Sequence, residues 1–119
     1  MTAGRDAEQR VLRTLEKEFR QPFSETPLQF GTRLNGTPAT KKFDAVSKDH
    51  RVVAMVKDYS ATNMQGNRTR LARVSHDLLV LHSVDAKSKF MYLSKPFYDW
   101  FRDASDAVVP DDVSVRTLP

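Results

Sequence analysis

The fold of this chain depends on one stretch, Lys41-Lys-Phe-Asp44-Ala-Val-Ser-Lys-Asp-His-Arg-Val-Val-Ala-Met55-Val-Lys57. Within it, residues 41–47 and 51–58 flank the polar pair Asp49-His50. This pattern predicts two antiparallel strands that are joined by a tight turn. The second segment is β-branched and largely apolar, which is typical of a central strand covered on both faces.

A two-residue turn at Asp49-His50 places Asp44 directly opposite Met55. Because side chains alternate between the faces of a strand, we expect Asp44, Met55 and Lys57 to share one face. The opposite face is then a good core face, made of Phe43, Ala45, Val52, Ala54 and Val56. A slip of one residue in this register would separate Asp44 from Lys57.

Before the hairpin, residues 5–20 have apolar side chains at helical spacing. Residues 28–35 alternate between apolar and polar side chains up to the turn signal Asn35-Gly36. After the hairpin, the patterns predict a polar loop over 60–67, a basic helix over 68–76, strands over 77–84 and 90–93, a helix over 96–102 and an edge strand over 113–117. We therefore expect one α/β domain over residues 1–119, with a mixed central sheet (helix, three strands, helix, two strands) flanked by helices.

Composition narrows the class of protein. The chain of 119 residues is long enough for one domain. It has no apolar run of the roughly 20 residues that span a bilayer, so no membrane association is expected. The polar start, Met1–Arg10, does not look like a secretory signal, and the absence of cysteine excludes disulfides and thiolate sites. These features together predict a cytoplasmic location.

Positive charge is concentrated in the middle of the chain. Residues 28–95 carry twelve basic and five acidic side chains. Such a block attracts a polyanion, although it can also be an ordinary solvated surface. Nucleic acid is the partner we expect, and the candidate phosphate contacts are Lys41, Lys42, Arg68, Arg70 and Arg73.

The hairpin resembles the PD-(D/E)xK nuclease superfamily, in which an aspartate on one strand is followed by an acidic residue, any residue and a lysine on the next. Asp44 matches the aspartate, and Lys57 matches the lysine. The upstream segment Gly4–Val11, which contains Glu8, is similar to the first helix of the family. The element order over about residues 4–103 also agrees, most closely with small stand-alone bacterial members. The resemblance implies a restriction-endonuclease-like fold.

The resemblance further implies a site for metal-dependent phosphodiester cleavage. In it Asp44 would bind Mg²⁺, Glu8 would add a carboxylate and Lys57 would stabilise charge. The middle acidic position is Met55, whose thioether is a poor ligand for a hard cation. We therefore expect weak or absent Mg²⁺ binding and an incomplete, impaired endonuclease site, which Met55→Glu should strengthen. The other glutamates that could replace the missing carboxylate are Glu16, Glu18 and Glu25.

Three alternatives stay open on the sequence. Asp44 and Lys57 could form a purely structural ion pair. The domain could bind nucleic acid without cleaving it. It could also be a protein-interaction module, in which the strand over 89–93 and the last helix pair with a second copy to form a homodimer.

Overall fold

The computed structural model describes the backbone of residues 3–59 and 64–119, and the side chains of residues 5–59 and 66–119. The elements follow one another as α1 Ala3–Phe19, β1 Phe23–Thr32, β2 Pro38–Ser47, β3 Val52–Lys57, α2 Met64–Ser83, β4 Ser88–Leu93, α3 Lys95–Asp103 and β5 Val113–Thr117. Over these residues the chain is an α/β protein with three helices and one mixed sheet.

The five strands of the sheet lie in chain order, β1-β2-β3-β4-β5. The first three strands are antiparallel and are joined by turns. β4 and β5 are each parallel to the preceding strand, so a crossover is needed before each of them. The helices α2 and α3 provide these two crossovers. The result is the predicted α/β class, with helices on both faces of a mixed sheet.

Each face of the sheet has its own apolar cluster. The side that carries Ala45, Ala54 and Val56, here called the α1 face, packs against α1. The buried positions of α1 are Ala7, Val11 and Leu15, one every four residues, as expected for one face of a helix. The other side, here called the α2 face, packs against α2 and α3, and its sheet residues include Phe43, Val53, Met55 and Met91.

The predicted strand over residues 77–84 is wrong, because these residues continue α2 to Ser83. Leu78 and Leu81 are buried and Leu79 is 61% exposed, which is a helical and not an alternating pattern. A short apolar run cannot be assigned to helix or strand by its own periodicity. Of the predicted loop over 60–67, residues 64–67 are the start of α2, and residues 60–63 lie outside the described residues.

The remaining differences concern the edges of the sheet. β1 begins at Phe23, earlier than predicted, and contains Pro27. An edge strand tolerates proline because one side of its backbone has no hydrogen-bonded neighbour. The alternative in which residues 89–93 pair with a second copy requires an edge strand, whereas β4 is hydrogen-bonded to β3 and β5 inside the sheet. The predicted strand over 113–117 is confirmed as β5.

Across the residues described, none of the helices is both long and apolar enough to traverse a bilayer.

Candidate functional site

A β-bulge in β2 determines where Asp44 points. Near the turn the predicted register is confirmed, with Ala45 paired to Ala54 and Val46 to Val53. On the other side of β2, the partners change from Ser24↔Val46 to Thr26↔Phe43, so β2 contains one extra residue opposite Glu25. The bulge brings Asp44 to the same side as Ala45, which is the α1 face.

The predicted shared face of Asp44, Met55 and Lys57 is therefore wrong. Phe43 takes the place beside Met55 on the α2 face. Met55 is 1% exposed and packs in an apolar cluster, so its position does not face Asp44. The carboxylate of Asp44 instead accepts a hydrogen bond of 2.7 Å from the backbone N–H of Val56. A side-chain oxygen of Asp44 is thus the hydrogen-bond acceptor for an N–H group of β3. It takes this role at the point where the bulge interrupts the backbone hydrogen bonds between the strands.

Three carboxylates converge on the α1 face. Glu8 projects from the second turn of α1, Glu25 from β1 and Asp44 from the bulge of β2. One carboxylate oxygen of each residue lies within 4.8 Å of one oxygen of the other two. They line an open cleft of about 290 Å³ between the start of α1 and the strands β1 and β2. We call Glu8, Glu25 and Asp44 the carboxylate cluster.

The electrostatics of this cluster disfavour three negative charges. Burial raises the pKa of Asp44, and the neighbouring Glu25 raises it further, while the hydrogen bond from Val56 lowers it. Burial is also the main cause of the raised pKa of Glu8, followed by the charges of Asp44 and Glu25. Lys42 contacts Glu25 at 3.0 Å in an exposed ion pair, and it neutralises part of this charge. Arg5 lines the same cleft, and its charge lowers the pKa of Glu8. A bound cation would reduce the repulsion further in the same way.

The donor set suits a hard divalent cation. All three side chains offer carboxylate oxygens, which are the ligands that Mg²⁺ and Ca²⁺ prefer. Oxygens on opposite sides of such an ion are separated by about 4–5 Å, so the observed separations of up to 4.8 Å allow a shared ion. Of the two oxygens of Asp44, Oδ2 already accepts from Val56. The residues present thus fit a metal ligand set.

Lys57 lies on the other face of the sheet. Its ammonium group contacts Oδ2 of Asp77 in α2 at 2.6 Å, and Lys41 contacts Oδ1 of the same carboxylate at 3.4 Å. Asp77 is 4% exposed. Both residues of the predicted Asp44–Lys57 ion pair are in the described part of the chain, and no ion pair joins them. Lys57 still influences the cluster through its charge, which lowers the pKa of Asp44.

The predicted phosphate contacts are divided among different surroundings. Lys41 and Arg73 lie beside Asp77 and line a cleft on the α2 face. Lys42 is on the α1 face beside Glu25. The guanidinium of Arg70 lies 4.9 Å from the ring centre of Tyr59, and Arg68 is exposed on α2. The five residues therefore do not form one continuous row.

Two charged residues of these sites were not identified from the sequence. Glu25 was only one of several candidate glutamates, since its segment, between Pro22 and Pro27, carried no strand signal. Asp77 was placed at the start of a predicted strand, where it was only a remote candidate for the missing carboxylate. For Asp77 a signal does exist, because an acidic residue on the apolar side of an amphipathic helix is unusual unless it is paired.

No protein-family model, curated protein or solved structure matches this chain.

Proposed function

We propose that this chain is a nuclease-like, nucleic-acid-associated domain whose carboxylate cluster binds a divalent cation. The observation that carries the proposal is the convergence of Glu8, Glu25 and Asp44 at one end of the sheet, with oxygens within 4.8 Å of one another. In this proposal Glu25 of β1 supplies the carboxylate that position 55 lacks.

The arrangement of elements supports the same assignment. Helix α1, the antiparallel strands β1–β3, helix α2 and the parallel strand β4 follow in the expected order, apart from the strand expected over 77–84, which is part of α2. Asp44 on β2 and Glu8 on the first helix contribute to one cluster, as the resemblance implies. The restriction-endonuclease-like fold is thus part of the proposal.

The described residues would divide the chemistry between them. Glu8, Glu25 and Asp44 would hold the ion, and Val56 N–H would keep the carboxylate of Asp44 in place. A bound Mg²⁺ would supply Lewis acidity and an activated water for phosphodiester hydrolysis. Lys57 is held by Asp77, away from the cluster, so its charge acts on the site only from a distance. We therefore propose slow cleavage at best.

Metal binding is tested by titrating the protein with Mn²⁺ and Mg²⁺ in a calorimeter. Glu25→Gln removes one proposed ligand from an exposed position, so the fold should be retained. We expect its affinity to fall at least about tenfold, since even outer-shell changes cost about 10–100-fold. Asp106→Asn is the matched control, because it removes one exposed negative charge outside the cluster. Equal affinities of the wild type and Glu25→Gln would refute the metal site.

A second candidate function is nucleic-acid binding without cleavage. The ion pair between Lys57 and Asp77 favours it, because it places the lysine of the motif on the face opposite Asp44. Cleavage assays on single-stranded and duplex DNA with Mn²⁺ separate the two functions. Salt-dependent binding without cleavage would identify the binding module. Cleavage that Glu25→Gln removes would identify the enzyme.

A further inference from the structure

A second charged cluster lies on the α2 face, at the same end of β3 as the carboxylate cluster. Its centre is the buried carboxylate of Asp77. Lys57 contacts one oxygen of this carboxylate at 2.6 Å, and Lys41 contacts the other at 3.4 Å. Two ammonium groups thus share a single negative charge, and one of them remains uncompensated.

Further positive charge surrounds this cluster. Arg73 and His76 are exposed residues of α2, and with Lys41, Lys57 and Asp77 they line an open cleft of about 450 Å³. Among the residues that the structure describes, no carboxylate forms an ion pair with Arg73 or His76. Ala72 also lines the cleft and leaves space between the basic side chains. The cleft therefore has two more positive charges than negative ones, even with His76 neutral.

The roles of the two lysines differ. Lys57 makes the shorter contact, and its side chain is 23% exposed, so it serves mainly to neutralise Asp77. Lys41 makes the longer contact, and its side chain is 37% exposed at the mouth of the cleft. Lys41 can therefore turn toward a ligand while Asp77 keeps its stronger partner.

We propose that this cleft binds a phosphoryl group, with Lys41 and Arg73 as its direct contacts and His76 as a further donor. Arginine recognises phosphate through two parallel N–H donors, and lysine binds it as a point charge. Asp77 positions Lys41 without contacting the ligand. The phosphoryl group can come from a free phosphate compound or from a nucleic-acid backbone. This inference does not depend on metal binding by the carboxylate cluster on the other face.

The test compares two ligands and four proteins. Inorganic phosphate and a 12-nucleotide single-stranded DNA are titrated separately into ¹⁵N-labelled protein, and amide shifts give the affinity. The proteins are the wild type, Lys41→Met, Arg73→Gln and the control Arg13→Gln, which removes an exposed charge from α1. In Lys41→Met, Asp77 keeps Lys57 as its partner, so the fold is retained, and thermal unfolding checks this.

We expect the amides of residues 72–77 to shift, and each of the two cleft variants to bind about tenfold more weakly, which corresponds to about 1.4 kcal/mol. Arg13→Gln should change the affinity less than about twofold. Binding of phosphate alone would indicate a small phosphate compound, and binding of the DNA would indicate a backbone phosphate. If neither ligand binds, or if the cleft variants lose no more than Arg13→Gln, the proposal is refuted.

Discussion

Asp44 shows how one side chain can be redirected by a local irregularity in its strand. Without the bulge it would lie beside Met55, on the α2 face. With the bulge it lies on the α1 face, where it accepts a hydrogen bond from the N–H of Val56 and lies close to Glu8 and Glu25. Its chemistry therefore depends on backbone geometry as much as on residue type.

The raised pKa of Asp44 has a defined consequence for stability. A carboxyl group whose pKa is higher in the folded than in the unfolded chain holds its proton more tightly when folded. Its contribution to stability is thus fully present below the unfolded pKa, near 3.8, and it is lost as the pH rises through the raised folded pKa. Near neutral pH, and without metal, the charge of Asp44 opposes folding.

We predict that Asp44→Asn and Asp44→Ala change the stability of the fold in opposite directions at pH 7. Asparagine removes the charge and retains an oxygen for the N–H of Val56, so the melting temperature should rise, with a smaller gain near pH 4. Alanine leaves that N–H without its acceptor, which should cost about 1–3 kcal/mol. Thermal unfolding without divalent cations measures both. A lower melting temperature for Asp44→Asn at pH 7 would mean that the charge stabilises the fold.

Met55→Glu should not strengthen metal binding, contrary to the expectation from the sequence. Position 55 is 1% exposed and packs with Phe43 and Met91 on the α2 face. An unpaired buried carboxylate should cost at least about 3 kcal/mol. Met55→Leu, which nearly conserves volume, should cost less than about 1.5 kcal/mol. Urea unfolding and Mn²⁺ titration test this, and a stable Met55→Glu protein with tighter Mn²⁺ binding would contradict the observed orientation.

Among the elements, α2 contributes both to the cleft on the α2 face and to the apolar core. It is 20 residues long, and it carries Asp77 and Arg73 toward the cleft on the α2 face. Its C-terminal half has apolar residues on several sides, which made it look like a strand. The buried positions Val74, Leu78 and Leu81 show that helical spacing decides which of them reach the sheet.

Leu81→Ala and Leu79→Ala provide a matched test of this helix. Leu81 is fully buried, so we expect its truncation to cost about 2–5 kcal/mol. Leu79 is 61% exposed, and its truncation should change the free energy of unfolding by less than about 0.5 kcal/mol. Chemical denaturation measures both values. Similar losses at the two positions would be inconsistent with the observed helix face.

At the scale of the whole molecule, Lys89, His82 and Asp112 form a hydrogen-bonded group that we call the polar clasp. It lies at the end of the sheet remote from the carboxylate cluster. Lys89 of β4 is buried, and its ammonium donates to the backbone oxygen of His82 at 2.8 Å and to Asp112 at 2.9 Å. The ring nitrogen Nδ1 of His82 donates to the other oxygen of Asp112 at 2.9 Å. The clasp thus joins α2, β4 and the segment before β5.

We predict that Asp112→Asn lowers the melting temperature at pH 7 and makes the melting temperature depend less on pH in the acid range. The hydrogen bonds from His82 and Lys89 lower the pKa of Asp112 to about 2. Because the folded pKa is lowered, this stabilisation is present above the unfolded pKa of 3.8 and is lost as the pH falls through about 2. Melting temperatures from pH 7 to pH 2 test this, with the exposed neighbour variant Asp111→Asn as control. Parallel curves of melting temperature against pH for Asp112→Asn and the wild type would exclude stabilisation by the ionised Asp112.

Prediction from the sequence succeeded where local patterns act alone. The helices α1 and α3 and the strands β2, β3, β4 and β5 were each expected within a few residues of their observed bounds, because periodicity and turn signals are local. The register next to the turn was also correct, although the connection covers the four residues 48–51 and not the predicted two, because both lengths place Ala45 opposite Ala54. The bulge was not predictable, because a bulge is an extra residue relative to the partner strand, and the sequence of one strand alone does not show it.

What the sequence by itself determined is the α/β class, most of the element order and the residue types available for chemistry at one end of the sheet. Only the tertiary structure decided which of those residues meet. Glu8, Glu25 and Asp44 converge from three elements, while Lys57 turns to Asp77 on the opposite face. The physical reason is that each charge takes the partner that strand register and helix packing bring within reach, and neither of these is encoded in a single local pattern.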